Sequence, residues 1–172
     1  MKFLLGILLT CKILFAFPIE LSTIQSDFIQ TIVDDHNKSI VYEGKLWTKK
    51  PSQAHWNYSK PIEKDIYMLH SKVTIIEPDL EQVIIKKIGE NIDIIAIISH
   101  SKKLAPEHYV ATYNEKDYHI YLDKKILKSL QYVDDFGNKT IIDFKNIRQN
   151  IDINDSNFEL IIPENYDVIS GS

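Results

Sequence analysis

One cysteine, Cys11, stands among 172 residues. A chain with one thiol forms no internal disulfide and supplies no cysteine cluster for structural zinc. Glycine is nearly as scarce. Gly6, Gly44, Gly89, Gly137 and Gly171 never cluster, which excludes a glycine-rich loop that cradles phosphate. No Gly-x-Ser-x-Gly elbow is present, and no pattern pairs a nucleophile with a base. The six histidines, His36, His55, His70, His100, His108 and His119, never fall three or four residues apart, the spacing of a helical metal pair. The expectation is therefore no metal, no cofactor and no catalysis. Basic residues are interspersed with acidic ones, so nucleic acid is not expected as a partner. Beyond the first sixteen residues no apolar run approaches the roughly 18 needed to cross a bilayer.

The first sixteen residues read as a secretory signal. Lys2 gives the positive start, Phe3 to Phe15 the apolar stretch and Ala16 the small residue at the cut. Leu8-Leu9-Thr10-Cys11 only faintly resembles a lipobox, because Thr10 is the wrong residue before the cysteine. Cys11 is read as an apolar signal residue. Residues 17–172 then form a single domain, beginning at Phe17 and free of cysteine. Without Lys2 and Lys12 the chain has 18 basic and 24 acidic residues, a net charge of −6. That balance disfavours adhesion to an anionic membrane.

Leu21, Ile24, Phe28 and Ile32 fall at helical spacing, which predicts a helix ended by Asp34-Asp35-His36-Asn37. From Ile40 the period becomes two. Leu46 and Thr48 alternate with Lys45 and Trp47, and Ala54, Trp56 and Tyr58 alternate with His55 and Asn57. Further strands are expected at 65–69, 73–77, 82–88, 109–113, 118–122, 127–133, 140–144, 158–162 and 166–169. Asp135-Phe136-Gly137-Asn138 marks a hairpin, with Gly137 free to take positive φ. Residues 92–104, with Ile92, Ile94, Ile95, Ile97 and Ile98, fit either a strand or a short helix, and helix is the preferred reading. The fold class is mainly β with a few α-helices. The strand count suggests a strongly curved sheet or incomplete antiparallel β-barrel, whose helices would have to cover its open, apolar concave face as a helical lid.

Paired carboxylates occur at Asp34-Asp35 and Asp134-Asp135, but both sit among turn residues, so a solvated turn explains them. What remains is apolar surface. Trp47, Trp56, Tyr58 and Tyr67 lie on successive strands, and such a stripe is usually core. A half-barrel changes this, because two small helices cannot fill its inner face, and an unfilled apolar concavity takes a lipid-like ligand.

Gly44-Lys45-Leu46-Trp47-Thr48-Lys49-Lys50-Pro51, followed by Trp56-Asn57-Tyr58 and Pro61, resembles the LolA family of outer-membrane lipoprotein carriers. Ile76-Glu77-Pro78-Asp79-Leu80-Glu81-Gln82-Val83, Phe28-x-Gln30 in the first expected helix, and the closing Phe158, Pro163 and Asp167-Val168-Ile169 resemble further family segments in the same order. Three departures stand out. Lys50 replaces an arginine before proline, Ala54 replaces a common aromatic, and Ile76-Glu77 replaces the aromatic ahead of Pro78-Asp79-Leu80.

The resemblance implies a periplasmic shuttle, a monomer without cofactor. It implies that acyl chains of outer-membrane lipoproteins are taken from an inner-membrane ABC transporter and released to an outer-membrane acceptor. The residues expected to form the acyl-binding groove are Phe28, Leu46, Trp56, Tyr58, Ile94, Ile97 and Ile98. Lys50, counted onto the inner side from Thr48, is implied as the latch that holds the lid. Two other readings stay open: a periplasmic binder of another amphiphile, such as a glycolipid or fatty acid, and a lipid-anchored acceptor of related fold.

Overall fold

The structure is a computed structural model that describes residues 18–87 and 93–171. The expected signal at 1–16, Cys11, and the strand end at Ile88 lie outside the described residues. Twelve strands form one sheet: β1 (Thr23–Val33), β2 (Ser39–Lys49), β3 (Gln53–Lys60), β4 (Lys64–Leu69), β5 (Lys72–Glu77), β6 (Gln82–Lys87), β7 (Lys102–Ala105), β8 (His108–Tyr113), β9 (Lys116–Asp123), β10 (Ile126–Val133), β11 (Lys139–Gln149) and β12 (Asp167–Gly171). A six-residue helix, α1 (Ile94–Ser99), and 3₁₀ turns at Pro78–Leu80 and Asp155–Phe158 complete the described elements.

The spatial order is β12-β6-β5-β4-β3-β2-β1-β11-β10-β9-β8-β7. Each neighbouring pair is antiparallel except β12 and β6, which run parallel. The sheet is open, with β7 and β12 at its edges. Exposed Lys102 and Lys103 on β7 discourage further pairing there. Ile66 on β4 and Tyr118 on β9 border one cavity although six strand spacings separate them. Spacings of about 4.8 Å would put them far apart on a flat sheet, so the sheet curls strongly.

Three expectations are corrected. Residues 23–33 form a strand, not a helix. Ile24, Phe28 and Ile32 are four residues apart, a spacing that suits a helix face and a strand face alike. The intervening inner positions are Ser26 and Gln30, whose polarity disguised the alternation. Both are buried because both find partners. The Ser26 hydroxyl donates to the Lys145 carbonyl at 2.8 Å, and Gln30 Oε1 accepts the Tyr58 hydroxyl at 2.8 Å. Phe28-x-Gln30 therefore lies on β1. Residues 158–162 are not a strand; Phe158 ends the 3₁₀ turn. The closing strand β12 departs from the antiparallel meander.

Residues 92–104 contain both structures weighed for them, α1 and then β7. Ile92 lies outside the described residues. The hairpin at Asp134–Asn138 forms as expected, with Gly137 at φ +83°. Asp134 Oδ1 accepts the Phe136 and Asn138 amides at 2.9 Å, and Asp34 plays the same part for His36 and Lys38 at 2.9 and 2.8 Å. These carboxylates organise turns, as the composition suggested.

The inner face supplies the core. Phe28 meets Trp56 and Tyr58 edge-on, each at 5.0 Å between ring centres. Gly44 makes room for it. A Cβ at Gly44 would lie 2.2 Å from the Asn57 carbonyl oxygen and 2.8 Å from the Phe28 ring.

Candidate acyl-binding cavity

β3 presents Trp56 and Tyr58 inward, and β4 adds Ile66 and Met68 beside them. Leu130 from β10 and Ile142 from β11 form the facing wall. α1 closes the space from above. Its isoleucines are poor helix formers, so burial rather than propensity holds the helix. Ile95 and Ile98 are fully buried against the sheet, while Ile94 and Ile97 are half-buried. Ile94, Ile97 and Ile98 border a cavity of about 420 Å³. This volume falls within the roughly 300–1,000 Å³ of small-molecule sites.

The cavity is apolar along most of its length. The Tyr58 hydroxyl is satisfied by Gln30, and burial pushes its ionisation well above the usual phenol range. Polar groups gather at one end, where the β8–β9 and β10–β11 turns meet. Tyr113, Lys116, Tyr118, Tyr132 and Asp134 stand there, and the Lys116 ammonium pairs with Asp135 at 2.7 Å. The arrangement can shield an apolar chain and leave a polar head at the rim.

Trp56, Tyr58, Ile94, Ile97 and Ile98 thus border one space. Phe28 and Leu46, each 1% exposed, sit in the core; Phe28 supports Trp56 and Tyr58 from below. The sequence reading missed Ile66, Met68, Leu130, Tyr132 and Ile142. Their strands were recognised, but only the curl shows which of them meet. The expected aromatic stripe divides between the faces. Trp56 and Tyr58 point inward, whereas Trp47 and Tyr67 sandwich His55 on the outer face at 5.2 and 4.1 Å.

At the lid, Asp93 has two contacts. One carboxylate oxygen accepts the Ala96 amide at 2.9 Å and caps α1; the other accepts the Ser52 amide at 3.3 Å. Ser52 is buried in the β2–β3 turn, so this carboxylate ties the helix to the barrel. Lys50 stands two residues earlier in the same turn. It is exposed, and its ammonium meets no acceptor among the described residues.

Residues 20–117 and 101–161 match the family described as outer membrane lipoprotein carrier protein LolA. This chain belongs to the LolA family. Family members of similar sequence include the outer-membrane lipoprotein carrier protein of Campylobacter jejuni, 35% identical over 156 residues, covering 91% of each chain. The carrier protein of Helicobacter hepaticus is 32% identical over 164 residues, covering 92% of this chain and 89% of that one. In fold, the chain is similar to an uncharacterised conserved protein from Thermus thermophilus, with a TM-score of 0.54 at 9% identity, covering 87% and 91% of the two chains. The LolA membership agrees with the single curled sheet and its helix. Among the described residues no helix is long and apolar enough to cross a membrane.

Proposed function

We propose that this LolA-family chain is a periplasmic carrier that shelters the acyl chains of outer-membrane lipoproteins beneath α1. In this reading it acts as a monomer and performs no reaction. It receives cargo from an inner-membrane ABC transporter and yields it to an outer-membrane acceptor. The observation that carries the reading is the apolar cavity bounded by Trp56, Tyr58 and the isoleucines of α1. Family membership and the names of the relatives support the same cargo.

The energetics suit a shuttle. Each acyl methylene removed from water contributes about 0.8 kcal/mol, so several fully buried chains would be held too tightly for hand-over. Ile95 and Ile98 already occupy part of the inner face. A cavity sized for one small molecule does not take several acyl chains under a closed helix, so cargo must lift α1. Lifting exposes the isoleucines and breaks the Asp93–Ser52 bond, which offsets part of the gain. We assign the latch to the turn that holds Lys50 and Ser52, with the Asp93 carboxylate as its contact on the helix. Lys50 supplies a positive charge in that turn.

The test is transfer of a triacylated lipoprotein from the purified protein to outer-membrane vesicles. Wild type should bind the lipoprotein and release it there, and a folded Trp56→Glu variant should bind none. Normal binding by that variant would move the groove elsewhere. Recovery of a glycolipid or free fatty acid as the sole ligand copurifying from the periplasm would replace the lipoprotein as cargo.

A further inference from the structure

On the outer face of β8 and β9, His108 and His119 are brought into contact. Nε2 of His108 lies 3.0 Å from Nδ1 of His119. The strand register explains how. His108 faces Tyr121 and Val110 faces His119, so the two imidazoles are diagonal neighbours on one side of the sheet. Their separation of eleven residues carries no metal signature in the sequence; the hairpin creates the pair. Tyr121 stacks on His108 at 4.4 Å and fixes that ring. Gln131 of β10 is directly opposite His119 in the register, and it borders the same hollow.

We propose that His108 and His119 form a binding site for a late first-row divalent cation of the zinc type. Two nitrogens on a tetrahedral zinc, each about 2.0–2.1 Å from it, lie about 3.3 Å apart, so the rings, which face each other across 3.0 Å, must open by a few tenths of an ångström and turn toward a common point. The hydrogen bond between the rings needs one nitrogen as donor and one as acceptor. A tautomer shift of the donor ring frees both lone pairs with no net loss of a proton.

The hollow is open to solvent and is bordered by Glu115 and Asp117 as well as Lys116 and Lys139, so its charge is balanced. Asp117 is held by the Thr112 hydroxyl at 2.7 Å, and Lys116 is engaged with Asp135. That leaves the two imidazoles, with Glu115, Gln131 and solvent on the border of the hollow as further donors. Imidazole with oxygen donors suits zinc, nickel and copper and discriminates against magnesium and calcium. The hollow shares Lys116 and Tyr132 with the polar end of the acyl-binding cavity, so the metal would sit across the rim from it.

Isothermal titration of the purified protein with zinc chloride tests this. One site is expected. His108→Ala and His119→Ala should each weaken it by at least about tenfold, since even an outer-shell partner of a metal is worth that much. His36→Ala, in the exposed Asp34-Asp35-His36 group, should leave it unchanged. A measurement on the unaltered protein removes dependence on how the variants fold. Substoichiometric copper(II) should broaden the imidazole proton resonances of His108 and His119 before those of the other histidines. Absence of zinc binding, affinity retained in the folded double variant, or first broadening at His36 would each overturn the site.

Discussion

Trp47 and Trp56 lie on adjacent strands and serve opposite faces of the sheet. Trp56 points into the barrel, is 7% exposed and meets the Phe28 ring edge-on. Trp47 points outward and stacks on His55, whose ring nitrogens reach the Asn157 carbonyl at 2.8 Å and Asp65 at 2.7 Å. One face is apolar and keeps a space that none of the described residues fills. The other joins its aromatics to charges and pins the 3₁₀ turn at Asp155–Phe158 to the sheet. The same alternation thus yields a face that borders the cavity and a scaffold face. A residue's face, more than its type, decides which of the two it serves.

The tryptophans give the largest expected effects. Trp56→Ala should destabilise the fold by about 3–5 kcal/mol, as for other buried tryptophans, and should abolish acyl binding. Trp47→Ala should cost clearly less and leave acyl binding intact. Urea titration monitored by circular dichroism, with displacement of a fluorescent fatty acid, measures both. Loss of acyl binding in a folded Trp47→Ala protein would erase the distinction between the faces.

Gly44→Ala comes next. The added methyl collides with the Asn57 carbonyl, which belongs to the backbone and cannot swing aside. Overpacking of this kind costs about 1–3 kcal/mol, and the upper end is expected here. Lys45→Ala, one residue on and facing outward, should stay within about 0.5 kcal/mol of wild type. Thermal melts of the two variants compare the faces at adjacent positions.

Much of the scaffold was legible in the sequence because strand alternation is local. Leu46, Trp56 and Tyr58 declared their inner face through the polar residues between them. β1 did not, because Ser26 and Gln30 are polar yet point inward, and only their partners Lys145 and Tyr58, far along the chain, make that tolerable. The cavity was half legible. Trp56, Tyr58 and the isoleucines of α1 were found, but Ile66, Leu130, Tyr132 and Ile142 become neighbours only through the curl. His108 and His119 are likewise a product of register, and Asp93 finds its second partner across the fold at Ser52. Contacts of this kind have no local signal in one sequence.

The outer face should also give the protein part of its acid sensitivity. Burial pushes the Asp65 carboxyl up, but hydrogen bonds from His55 and Asn57 and the His55 charge outweigh it and hold the group below its usual range. A carboxyl lowered in the folded state stabilises it above the unfolded value of about 3.9 and loses that effect as pH falls through its folded value. Asp65→Asn should cost about 1 kcal/mol near neutrality, after allowance for partial exposure. It should also flatten the loss of stability below about pH 5. Urea midpoints across the acid range measure this. An unchanged acid limb would assign the sensitivity to other carboxylates.

The smallest expected effects concern the lid, where two residues of the same neighbourhood can be separated. In Asp93→Asn the amide oxygen can still cap α1 at Ala96, because asparagine caps about as well as aspartate. The second oxygen becomes an amino group facing the Ser52 amide, donor against donor, so the tie to the barrel is lost while the helix keeps its cap. The cost should be about 1 kcal/mol or less and confined to lid opening. It should appear as faster hydrogen exchange in residues 94–99 and faster release of a bound fatty acid, with an unchanged melting temperature. Lys50→Leu removes an exposed ammonium with no acceptor among the described residues, so its effect should lie within about 0.5 kcal/mol. The two variants therefore rank the contacts of the latch. Release from Lys50→Leu at the Asp93→Asn rate, with Asp93→Asn itself at the wild-type rate, would place the latch on the ammonium. The expected order, with Asp93→Asn fast and Lys50→Leu near wild type, places it on the carboxylate that already spans the two elements.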